Sequence, residues 1–200
     1  VLLVVFPAAV ALVALAYPLM VTLFQYGKFS VEDARMASHS LVAFSPGLIG
    51  FVLVKVLAPA FYARKDTKTP VRAGVVAMIV NGLCAATLTL AVPLGHVGLA
   101  AATSISGLVN AGLLYRYLVR DSGYSSGPDM GVFAVKTAAA AIVMGVVLWF
   151  GVPEPQSWVA ASVTGRLWQL VMWVPAGTVV YFVCLYVVGL NPHRLFQRQT

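Results

Sequence analysis

Charge is scarce in this sequence. Only 10% of its 200 residues are charged and 60% are hydrophobic, where soluble domains carry about 25% charged residues, so a water-soluble globular fold is excluded. The six acidic residues leave no carboxylate deep inside an apolar run, which removes an aspartyl intramembrane protease and, within this segment, a carboxylate proton relay. Cysteine is limited to Cys84 and Cys184, too far apart in sequence to suggest a disulfide framework or a thiolate metal cluster. His39, His96 and His193 fall at separate interfaces or in the tail and form no ligand set. A His-Glu-x-x-His helix and a Gly-x-Ser-x-Gly elbow are both missing, so zinc and serine hydrolases lack their motifs. No catalytic group, metal or cofactor is expected. The chain starts at Val1 and has no charge through Gly27, so it lacks the basic region of a signal peptide and reads as a segment of something longer.

Apolar runs are what the sequence has in quantity. A spanning helix needs about 20 mostly apolar residues, and six stretches qualify: 1–25, 36–62, 70–92, 97–119, 132–152 and 167–189. Turn chemistry separates them, as in Tyr26-Gly27-Lys28 and Pro153-Glu154-Pro155. No period-two alternation marks a transmembrane barrel, so the fold class is all-α, a polytopic membrane protein with six transmembrane helices.

The net charge of +7 is read the same way. Basic residues sit in short gaps between apolar runs, not on one polar face, so nucleic acid is not an expected partner. Arg64, Lys65, Lys68, Arg72, Arg116, Arg120, Lys136, Arg194 and Arg198 fall on one side, and Lys28, Arg35 and Arg166 on the other. The retention of positive charge inside the cell places the first group, and both chain ends, in the cytoplasm. Trp149, Trp158, Trp168 and Trp173 are expected to form an aromatic belt at the opposite interface.

Several helix ends and faces are legible. Ser30 with Asp33 reads as a capping box opening a helix from Val31 to Tyr62, about 48 Å long at 1.5 Å per residue. Pro46, Gly47 and Gly50 interrupt it, as a static kink or as a hinge. Thr69-Pro70 reads as an N-cap followed by proline at the first helical position. Ala73, Ala77, Asn81, Ala85 and Thr89 recur every fourth residue, and Gly98, Ala102, Ser106 and Asn110 repeat the device. Such stripes bring helices together in lipid, so an antiparallel hairpin is expected, with a hydrogen bond between Asn81 and Asn110.

Lys55 is the one charge well inside a span. It precedes Arg64 by nine positions, about 13 Å by helical rise. A central lysine costs about 2.5 to 3.5 kcal/mol and faces a cavity or the bundle interior, unless its stem carries the ammonium to the headgroups. On the cavity reading it lends positive potential to the path of an anionic substrate.

The runs Leu23-Phe24-Gln25-Tyr26-Gly27-Lys28-Phe29, Gly47-Leu48-Ile49-Gly50, and Lys55-Val56-Leu57-Ala58-Pro59 through Phe61-Tyr62, Asp66 and Thr69-Pro70 closely resemble the MurJ/MviN family of bacterial lipid II flippases. Gly98-Leu99-Ala100 through Thr103-Ser104, and Asn110 to Tyr115, continue the likeness. The resemblance implies the superfamily of multidrug, oligosaccharidyl-lipid and polysaccharide exporters, with a fourteen-helix, two-lobed body. Residues 1–120 would then form most of the C-terminal lobe, 121–131 a cytoplasmic linker, 132–190 an accessory hairpin and 191–200 a cytoplasmic tail.

The activity so implied is movement of lipid II, an undecaprenyl-pyrophosphate-linked precursor, across the bacterial inner membrane by alternating access. Its expected partners are lipid II, membrane lipids and the N-terminal lobe of the same protein, which holds the arginines associated with pyrophosphate. Lys55, Pro59, Tyr62, Asp66, Thr69 and Pro70 match the family motif. Lys55, Asn81, Thr103 and Asn110 are candidates for the transport path. Arg64, Lys65, Lys68 and Arg72 form a basic loop suited to anionic headgroups. Faces around Ala138 to Gly145 and Pro175 to Gly177 suit a polyprenyl tail or plain lipid. Some relatives hold Na⁺ in this lobe; Asn81 and Thr103 would supply neutral ligands, but Ala85 offers no carboxylate. Alternatives are a cation-coupled drug or polysaccharide exporter and a non-transporting scaffold of wall synthesis.

Overall fold

A computed structural model describes residues 1–92, 94–122 and 128–190, and all regular structure among them is helical. In chain order the helices are α1 (Leu2–Ala14), α2 (Ala16–Phe24), α3 (Val31–Tyr62), α4 (Lys68–Ala86), α5 (Gly95–Ser122), α6 (Pro128–Gly151), α7 (Pro155–Ala160) and α8 (Val163–Val187), with a π-helical turn at Thr87–Ala91 closing α4. Five spans are long and apolar enough to cross a membrane, and the pair α1 and α2 makes a sixth if it is one broken span. The tail 191–200, with His193, Arg194 and Arg198, and the middle of the expected linker, 123–127, lie outside the described residues, as does Pro93.

The first expected span is not one helix. α1 and α2 are bent by 71°, and the break at Leu15 lies just before Pro18, whose ring excludes the carbonyl of residue 14 and whose missing N–H gives that carbonyl nothing in return. The next expectation holds to the residue: α3 runs over Val31–Tyr62. At its start Ser30 Oγ accepts from the Asp33 N–H at 3.1 Å while the Ser30 N–H donates to Asp33 Oδ2 at 2.9 Å, a reciprocal cap. Pro46 and Pro59 lie inside this continuous helix.

The start of α4 differs from expectation. The helix begins at Lys68, and its first free N–H groups, those of Lys68 and Thr69, donate to Asp66 Oδ1 at 3.0 and 3.1 Å. Asp66, not Thr69, therefore does the capping. Pro70 follows within the first turn, where no donor is needed.

The chain divides into two compact units. One holds α4, α5 and α3 from His39 onward. Its hairpin α4 and α5 buries Ala73, Ala77 and Ala102, and Phe61, Ala73, Leu114 and Leu118 form its core. Near the hairpin turn a Cβ on Gly98 would lie 2.9 Å from the Leu88 carbonyl oxygen, so the small-residue stripe permits the close approach. The other unit holds α1, α2, the start of α3, and α6 to α8. Ala140, Ala141, Met144, Leu148, Tyr181 and Leu185 form one of its cores, and Val21, Ala34 and Trp158 another. Outside these cores large apolar side chains face outward, including Leu90, Phe150 and Val187, as a lipid-facing surface requires.

Candidate functional site

In the first unit α3 crosses α5 at two glycines. A Cβ on Gly47 would sit 2.6 Å from Ser104 Cα, and one on Gly50 would sit 2.4 Å from the Gly107 carbonyl carbon. Both positions need glycine for contact between backbones. Ser104 adds a hydrogen-bonded clasp beside Pro46: the Gly47 N–H donates to Ser104 Oγ at 3.2 Å, and that hydroxyl is shared between the carbonyls of Ala43 at 2.6 Å and Phe44 at 3.0 Å. The sequence showed the proline and glycines but not their partner, because a serine amid small residues carries no register of its own.

Next to this crossing lies a recess of about 370 Å³, lined by Phe51, Met78, Asn81, Ser106, Gly107 and Asn110 among others. Asn81 and Asn110 do share it, but the expected bond between them does not form. Asn81 Nδ2 donates to Ser106 Oγ at 3.1 Å, and Ser106 Oγ donates to the Thr103 carbonyl at 2.9 Å. Ser106 is one turn nearer the hairpin turn than Asn110, so the two stripes meet in a register shifted by one turn. Asn110 Oδ1 is left buried without a hydrogen-bond partner, an acceptor open to a donor group. Thr103 does not line the recess, and its hydroxyl donates to the Leu99 carbonyl of its own helix at 2.9 Å. Among the described residues no group of three or more metal-ligating side chains exists.

Lys55 is exposed, one helical turn beyond Phe51, and no hydrogen bond or ion pair engages it among the described residues. Pro59 has no N–H to offer the Lys55 carbonyl four residues earlier. Tyr62 is exposed near the end of α3. There the chain turns through a left-handed Lys65, φ 59°: its N–H donates to the Tyr62 carbonyl at 2.9 Å, and the Asp66 N–H to that of Phe61 at 3.0 Å, a Schellman closure. Asp66 thus ends one helix with its backbone and opens the next with its side chain. The Thr69 hydroxyl, then the Thr69 N–H, hold the Asp66 carboxyl below its usual range. Arg64, Lys65, Lys68 and Arg72 are all exposed around this turn.

The second unit carries an apolar groove of about 280 Å³ between α1, α6 and α8, lined by Pro7, Ala11, Met144, Leu148, Gly177 and Phe182 among others. Pro7 denies an N–H to the Leu3 carbonyl, and the Tyr181 hydroxyl donates to that oxygen at 2.8 Å. The aromatic belt is only partly as expected. Trp149 and Trp168 are 68% and 67% exposed, but Trp158 is fully buried against Val21 and Ala34, and Trp173 packs on Gly151. Arg166, counted among the outer charges, is also buried. Its guanidinium donates to the carbonyls of Val159 at 2.9 Å, Ala161 at 3.1 Å and Val21 at 3.2 Å. Three backbone acceptors satisfy it without an acid, a solution that periodicity does not reveal.

Long apolar helices, outward-facing hydrophobic side chains and polar groups gathered at helix crossings define a multi-pass α-helical membrane protein. The family model described as "Lipid II flippase MurJ" matches residues 1–168, and the chain belongs to that family. It is 41% identical over 192 residues to a probable lipid II flippase MurJ of Haemophilus influenzae, covering 96% of this chain and 37% of the relative. It is 33% identical over 195 residues to the lipid II flippase MurJ of Burkholderia cenocepacia, again covering 96% and 37%. The chain thus spans little more than a third of these relatives' length. A solved lipid II flippase MurJ in an inward closed conformation shares the fold, with a TM-score of 0.73 over 94% of this chain and 36% of that one, at 22% identity.

Proposed function

We propose that this chain is the C-terminal part of a flippase that carries lipid II from the inner to the outer leaflet of the bacterial cytoplasmic membrane. The observation that carries this reading is the family match over residues 1–168. No covalent chemistry is part of it: the protein is a transporter, and its partners are lipid II, the surrounding lipids and an N-terminal lobe of the same protein.

In this reading residues 1–120 belong to the C-terminal lobe, with 132–190 as an accessory hairpin, and both ends of the segment face the cytoplasm. The bias of Lys and Arg toward one set of loops supports that orientation. Lys55 contributes positive potential to the cavity, and the uncharged groups of Asn81 and Asn110 tolerate a polar headgroup without trapping it. Thr103 stays a transport-path candidate with its backbone, since its carbonyl already joins the Asn81 network through Ser106. Pro46, Gly47 and Gly50 act as the hinge on which α3 bends. Arg64, Lys65, Lys68 and Arg72 hold anionic headgroups, and the groove beside Pro7 and Gly177 takes the polyprenyl tail. The test is depletion of the native flippase in a bacterium and rescue by the complete protein that carries this chain, read by the leaflet in which lipid II appears.

A further inference from the structure

The second unit holds another recess, of about 300 Å³, with a different chemistry. Its lining includes Tyr17, the exposed Trp149 and the fully buried Trp158, and the exposed Glu154 adds a carboxylate. Glu32 pairs with Arg35, Asp33 with Ser30, and Asp66 with the start of α4. Glu154 is therefore the one acidic side chain without a partner among the described side chains. The aromatic side chains of Tyr17 and Trp149 beside a carboxylate favour an organic cation such as an ammonium group.

The site is rigid. Pro153 and Pro155 flank Glu154, and a residue before proline is confined to extended backbone, as its φ of −55° and ψ of 150° show. Its carbonyl accepts from the Ser157 N–H at 3.0 Å and the Ser157 hydroxyl at 2.7 Å. Trp158 is fully buried, and its Nε1 donates to the Pro153 carbonyl at 3.2 Å. On the opposite wall stand Ala14 and Pro18, at the 71° break. Pro18 has no N–H to return to the Ala14 carbonyl.

The surroundings indicate a lipid. The recess sits at the end of the span Met130–Gly151, where Trp149 and Phe150 are exposed. Ala14 and Trp149 also line an adjoining apolar groove of about 270 Å³ that runs along Val10, Ile142 and Val146. A polar cage opening into an apolar furrow fits an amphiphile with a cationic head and an acyl chain.

We propose that this recess binds the primary ammonium headgroup of an aminophospholipid, with Glu154 as its anionic partner and an acyl chain in the adjoining groove. The complete protein, purified in detergent, is titrated by native mass spectrometry with phosphatidylethanolamine, phosphatidylcholine, phosphatidylglycerol and water-soluble glycerophosphoethanolamine. The expected result is one phosphatidylethanolamine site about tenfold tighter than phosphatidylglycerol. Full N-methylation of the headgroup weakens it, because the Glu154 carboxylate then meets no N–H. Glu154→Gln abolishes the preference and leaves phosphatidylglycerol binding unchanged. Equal affinity for the ethanolamine and glycerol lipids, or an undiminished preference in Glu154→Gln, would overturn the proposal. So would equal affinity for phosphatidylcholine, or soluble headgroup binding as tight as the lipid. The methylation series needs no variant, so a poorly folding mutant does not protect the idea.

Discussion

Asp66 shows how one side chain organises the turn between two helices. It accepts the first donors of α4 while its own N–H closes α3, so Asp66→Ala is expected to lower the Tm of the complete protein at neutral pH, whereas Asp66→Asn retains part of the cap. The sign of the pH dependence follows from the depressed carboxyl. A group with a lowered folded pKa stabilises fully above its unfolded value, about 3.9, and loses that contribution as pH falls through the folded value. The gap between wild type and Asp66→Ala should thus be constant from about pH 5 to 8 and close only as pH falls below the ordinary aspartate range; a gap that closed near pH 6 would assign it to another group. Lys55 calls for a different test, because no hydrogen bond or ion pair engages it among the described residues. Lys55→Gln should reduce transport at unchanged protein level, and unchanged transport would remove its role in the path.

Among the helices, proline and its satisfying partner recur as a device. Pro7 frees a carbonyl that Tyr181 takes, and Pro46 sits in a stretch that Ser104 clasps. Tyr181→Phe is expected to cost about 1 kcal/mol, and markedly less in a Pro7→Ala background, where residue 7 regains an N–H for Leu3; a double-mutant cycle of unfolding measures that coupling. Gly50→Val forces a side chain into the Gly107 backbone and should destabilise by about 1–3 kcal/mol or more, while the same change at exposed Gly82, where a Cβ meets nothing within 4 Å, should cost far less. Pro46, Gly47 and Gly50 were visible in the sequence as punctuation. Their contacts were not, since which turn of α5 they meet depends on packing between distant segments. The same limit explains Asn81. Its stripe was legible at period four, but the one-turn offset that pairs it with Ser106 was not.

For the whole molecule, the membrane class and six apolar segments were legible in hydropathy, because lipid requires backbone groups to be satisfied within each segment. The break between α1 and α2 was less so: Pro18 is in plain view, but prolines also lie inside the unbroken α3. The burial of Trp158 and Arg166 was hidden for a related reason, as both lie at helix ends where the usual reading is an interface. The chain covers 37% of the length of its relatives, and in the proposed reading alternating access requires both lobes. Crosslinks that lock this part against the N-terminal lobe should abolish translocation, and their reduction should restore it. The most direct measurement is the leaflet distribution of lipid II in cells depleted of their own flippase and supplied with the complete protein. Reappearance of lipid II in the outer leaflet, at normal protein level, is predicted; lipid II retained in the inner leaflet despite a correctly inserted protein would contradict the account.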